Sequence, residues 1–81
     1  MTDNWSKKLW RPVKVKGGKP IETLLHAKIY MIGMPPHFEA KPEWQRATDA
    51  VIAAAKDEEG TRAAWSAFVE ALAINGRLDQ D

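Results

Sequence analysis

Two histidines and no cysteine set the limits on chemistry in this chain. A metal centre would have to join His26 and His37 to carboxylates such as Glu22 or Glu39. Glu22 and His26 stand four residues apart, a helical spacing, but Glu22 falls in a predicted strand, so the two do not share a helix face. Nucleophilic catalysis needs a serine, threonine or cysteine beside a base that a third group orients. Ser6 lies in a polar N-terminal stretch, and Ser66 lies mid-helix among alanines. Gly17-Gly18 is followed by Lys19-Pro20 rather than by a helix start, so it is no phosphate-cradling loop. Acidic residues cluster in Asp57-Glu58-Glu59, which reads as a solvated turn between two helices. These residues name no catalytic group, cofactor or metal ligand. The expectation is a protein that is not an enzyme.

Charge offers a different chemistry. Residues 1–28 carry seven bases against two acids, a net of +5, whereas residues 29–81 carry five bases against nine acids, a net of −4. Such asymmetry suits an anionic partner, but it more often describes a solvated surface with no partner. The nucleic-acid reading places Lys14, Lys16, Lys19 and Arg11 near Lys7 and Lys8, with Trp5 or Trp10 for stacking. Lysine on a strand also keeps sheet edges from pairing with other chains, which competes with that reading. A helix-turn-helix would offer Thr61, Arg62, Ser66 and Glu70 to DNA, a poor set for phosphate or guanine.

The elements that must position these groups follow from periodicity. Pro42–Lys56 is the clearest helix, with Trp44, Ala47, Val51, Ala54 and Ala55 on one face. Pro42 suits the first helical position and Glu43 the positive end of the helix dipole. A preceding helix runs from an N-cap at Thr23 to Gly33, with Leu24, Ala27, Met31 and Met34 inward. Leu25, Ile29 and Ile32 make that helix apolar outside its inward stripe, which suggests self-association or another partner. Pro35-Pro36 follows, and Phe38 is expected to tuck onto the core. A last helix is capped by Thr61, faces Ala64, Trp65, Phe68, Ala71 and Leu72 inward, and stops at Asn75-Gly76, with Leu78 folding back.

Upstream, Val13 and Val15 alternate with Lys14 and Lys16 around Gly17-Gly18, the pattern of a hairpin. A three-residue loop, Gly17-Gly18-Lys19, would set Val15 opposite Ile21 and Lys14 opposite Glu22. Trp10 is expected over the core, marking where the fold begins. The edge from Val13 to Lys16 would then have no partner in the chain, a second route to self-association. The expected organisation is a mobile tail over residues 1–9, one α+β domain over 10–78 (a β-hairpin packed on three α-helices) and a loose end at 79–81.

At 81 residues the chain has room for one small domain. The absence of cysteine and of an apolar leader, together with no run near the ~20 residues that span a bilayer, gives a cytoplasmic expectation with no membrane partner. Trp10-x-Pro12-Val13, Ile21-x-Thr23, Ala27, Tyr30, Met34-Pro35 and Pro42-Glu43-Trp44-Gln45-x-Ala47 resemble a group of short, uncharacterised bacterial proteins. The resemblance covers residues 10–75. It implies a hairpin followed by three helices and assigns no activity. The first functional reading is a small non-enzymatic protein-interaction domain with an unknown partner or a second copy of itself. The alternative is a nucleic-acid-binding accessory protein using the basic hairpin.

Overall fold

The computed structural model describes residues 4–34, 41–58 and 60–79. His37, Phe38, Glu39, Pro35-Pro36 and Glu59, with residues 1–3 and 80–81, lie outside the described residues. The elements are β1 (Lys8–Val13), β2 (Ile21–Thr23), α1 (Leu24–Ile32), α2 (Pro42–Ala55) and α3 (Thr61–Ile74). β1 and β2 form an antiparallel pair. The fold is therefore α+β, a hairpin followed by three helices.

α2 and α3 make the densest packing in the molecule. α2 buries Trp44, Ala47, Val51, Ala54 and Ala55, the face its period predicts, and α3 buries Ala64, Phe68, Ala71 and Leu72. The alanines bring the two backbones close, and the large side chains fill what remains. Phe68, fully buried, meets Trp44 edge-on at a centroid separation of 6.2 Å and Tyr30 at 5.8 Å, so one ring ties all three helices together. Trp65 is only half-buried.

The helices run antiparallel, and their ends are clasped. At the start of α2, Lys41 Nζ donates to Asn75 Oδ1 (3.0 Å), and Asn75 Nδ2 donates to Glu43 Oε1 (3.1 Å) and to the Ala71 carbonyl (2.8 Å). The Glu43 carboxyl is held below its usual 4.5 chiefly by a hydrogen bond from its own backbone N–H. Its partial desolvation opposes this, while Asn75, Lys41 and Arg46 reinforce it.

Both helices end in the same left-handed motif. Gly76 has φ 68°, and Arg77 N–H donates to the Leu72 carbonyl at 2.8 Å. Asp57 has φ 62°, and Glu58 N–H donates to the Ala53 carbonyl at 2.8 Å. Asp57 is not glycine, but its carboxylate pairs with Lys7, whose ammonium also donates to the Ala54 carbonyl (3.3 Å). Asn4 N–H reaches the Ala55 carbonyl (2.8 Å). The N-terminal stretch thus straps the carbonyl end of α2, where a cation is favoured. Leu9 is buried, whereas Trp10 is 41% exposed. Packed structure begins before Trp10, contrary to the sequence expectation, because Leu9 rather than Trp10 points inward.

The hairpin register also differs. Lys8 pairs with Thr23 and Val13 with Ile21, and β1 is irregular between its two paired residues. Pro12, with no N–H to give, lies in that irregular stretch. The expected pairings of Val15 with Ile21 and Lys14 with Glu22 do not form. Val15 instead bridges Leu78, Lys16 N–H donates to the Arg77 carbonyl (2.9 Å), and Asp79 N–H donates to the Lys14 carbonyl (3.0 Å). The edge expected to lack a partner is covered by the chain's own C-terminal segment. Val13, Val15 and Ile21 are all buried by this arrangement, so it satisfies the same burial rule with a distant partner in place of a local one.

α1 begins as its sequence requires. Thr23 caps it, accepting from His26 N–H (3.1 Å), while Leu24 and Leu25 N–H donate to the Lys7 (2.9 Å) and Trp5 (2.9 Å) carbonyls. Three of its otherwise orphaned donors are therefore satisfied. Leu24 and Ala27 are fully buried, and Met34 is buried just past its end. No helix among the described residues is long and apolar enough to cross a membrane.

Candidate functional site

Among the described residues, the groups with catalytic or metal-binding potential do not converge. His26 is exposed on α1, and Glu22 is exposed on β2. No three His, Cys, Asp or Glu side chains among the described residues gather where they could hold a metal ion. Ser6 donates to Asn4 Oδ1 (2.9 Å), Ser66 faces solvent on α3, and Asp57 is engaged by Lys7.

Two surfaces remain. The first is the outer side of α1, where Leu25 is 42%, Ile29 58% and Ile32 65% exposed. These three residues follow a four-three spacing, which lines them along one edge of the helix. Buried Ala27 and half-buried Tyr30 and Met31 turn the other way. Ile32 also stands at a groove of about 630 Å³ between α1 and α2. Trp44 and Val51 contribute to its floor, and Met31, Met34 and Ile52 to its walls. The Trp5 ring closes one side, with Lys28 Nζ 4.5 Å from its centroid. The buried indole N–H of Trp44 has no acceptor among the described residues. Thr48, on the rim, donates its hydroxyl to the Trp44 carbonyl (2.8 Å). The groove is thus mainly apolar, rimmed by Lys28, Asp49 and Lys56.

The second surface lies across β1 and α3. Arg11 Cζ is 4.4 Å and Arg62 Cζ 4.8 Å from the centroid of the exposed Trp10 ring. Trp65 meets that ring edge-on at 4.8 Å. Lys14, Lys16 and Lys19 are exposed in the β1–β2 connection. Of the residues proposed for nucleic-acid contact, Arg11 is therefore beside an aromatic ring, while the lysines belong to the connection and not to a regular hairpin face.

Sequence reasoning found the α1 stripe but missed the groove, because Trp5 and Ile52 reach it from separate elements. It also missed Arg62 as a neighbour of Trp10. The signal available was the three-residue spacing of Arg62 and Trp65, which puts them on one side of a helix. No family model, curated protein or solved structure matches the chain.

Proposed function

We propose that this protein is a small non-enzymatic interaction domain whose docking surface is the outer edge of α1 with the adjoining groove, and whose partner is a second copy of the chain. The observation that carries this reading is the exposure of Leu25, Ile29 and Ile32 in a row on one helix. Their four-three spacing is the seam along which two helices pair. A two-fold axis on α1 would set each stripe against its copy and bring Ile32 of each near the groove of the other, and two-fold pairing is the commonest soluble symmetry. The strand edge does not compete for this role, since the Arg77–Asp79 segment already covers Lys14–Lys16.

Sedimentation equilibrium over a wide concentration range tests the proposal. The expected result is a mass that rises toward the dimer and returns to the monomer in Ile29→Asp and Ile32→Asp variants that remain folded. A strictly monomeric mass up to about millimolar, the weak end of measurable affinity, would end the self-pairing reading.

A further inference from the structure

We infer that Trp10, with Arg11 and Arg62 laid against it, is a platform for single-stranded nucleic acid, on a surface separate from the α1 edge. The first support is that this indole is spent on no core. It is 41% exposed, while Trp44, the packing tryptophan, is 3% exposed. The second is the company it keeps. Two guanidinium groups lie within 4.8 Å of its centroid, and neither has a carboxylate within ion-pair reach among the described residues. Arg46 on α2 shows the ordinary alternative, pairing with Glu70 at 3.6 Å.

The surroundings extend the same charge. Lys8 on β1 and Lys16 and Lys19 in the β1–β2 connection are exposed and make no ion pair among the described residues. The exposed acids of the neighbouring elements are Glu22 on β2, Glu58 before α3, Glu70 on α3, which pairs with Arg46, and Asp79, whose N–H donates to the Lys14 carbonyl; none makes an ion pair with Arg11, Arg62, Lys8, Lys16 or Lys19 among the described residues. Trp65, half-buried and edge-on to Trp10, holds the platform in orientation from behind.

This set suits bases and phosphates together. Indole and guanidinium planes stack on base faces, and guanidinium edges donate to phosphate oxygens. A base entering the stack takes the place of one guanidinium on the indole, and the released guanidinium turns to the adjoining phosphate. Base faces are free only in a single strand, because a duplex hides them in its stack. A phospholipid surface offers phosphate but no base, so it would use the cations and leave Trp10 without a role.

The test is anisotropy of a labelled oligothymidylate titrated with the protein at low salt, beside a duplex of equal length and vesicles of anionic phospholipid. The expected result is tighter binding of the single strand than of the duplex. Trp10→Ala should weaken it about ten-fold or more, with Trp10→Phe restoring part of the loss. Arg62→Ala should flatten the dependence of log Kd on log salt by roughly 0.7, the share of one phosphate contact on a single strand. Circular dichroism confirms that each variant is folded, and if Trp10→Ala is not, Arg62→Ala carries the test alone. No oligonucleotide binding, equal binding of duplex and single strand, binding of vesicles only, or folded variants that bind like the parent would each overturn the inference.

Discussion

The strand edge at Lys14–Lys16 and the outer edge of α1 are the two surfaces for which the sequence supplies no local partner, and the fold treats them differently. The strand edge is closed, with Val15 bridged to Leu78 and backbone hydrogen bonds on either side of it. The α1 edge stays open, with three large apolar side chains in solvent. An unpaired run of backbone donors and acceptors beside a buried valine is costly, since each such group loses its water without gaining a partner. An apolar side chain in water costs only the hydrophobic transfer it forgoes, and folded proteins expose many of them. The chain uses its last residues where the penalty is steeper.

The largest expected effect breaks the floor shared by the open side and the core. Trp44→Ala should cost about 3–5 kcal/mol in urea denaturation, because the ring packs on Phe68 and underlies the groove beside α1. Trp44→Phe should lose distinctly less, since the indole N–H it removes has no acceptor among the described residues. A loss below about 1 kcal/mol for the alanine variant would place Trp44 outside the core.

Breaking the closure itself comes next. Gly76 turns the chain from α3 toward the hairpin with φ 68°, and a Cβ there would meet nothing within 4 Å. Gly76→Ala should therefore cost only the backbone strain, about 1–2 kcal/mol. Hydrogen exchange should show the Lys16 and Asp79 amides losing protection before those of α2. Unchanged protection would mean that the Leu78 segment does not depend on this turn.

On the open side the expected stability change is small. Ile29→Ser, at a position 58% exposed, should stay within about 0.5 kcal/mol of the parent at concentrations where the protein is monomeric. A larger loss there would mean that the α1 edge is already covered in the monomer.

The smallest effect concerns pH. Glu43 has a lowered pKa in the folded state, so its contribution is fully present above its ordinary value of 4.5 and fades as pH falls through the lower folded value. Acidification through that window should reduce stability in the parent. Glu43→Gln should show a shallower loss over the same window, measured as the shift in denaturation midpoint. Parallel acid limbs for the two proteins would remove Glu43 and its Asn75 clasp from the acid response.

The helices were legible because their information is local. Thr23 as a cap, Pro42 at a first helical position, Gly76 beyond a last turn and the apolar periods of all three helices are set by neighbours within about one turn, the reach of the backbone hydrogen bond. The exposed stripe of α1 followed from the same periodicity. What only the tertiary structure decided lies between elements far apart in sequence. Val15 could not be read as the partner of Leu78, because an alternating strand states which side chains turn inward and not which backbone lies beside it. Trp10 was expected over the core and residue 9 in the tail, whereas Leu9 is buried and Trp10 exposed, for the same reason: both are large and apolar, and the side of β1 that faces the helices is settled by packing. The groove and the contact of Arg62 with Trp10 were invisible along the chain, since each joins residues of elements far apart in sequence, α1 with α2 and β1 with α3.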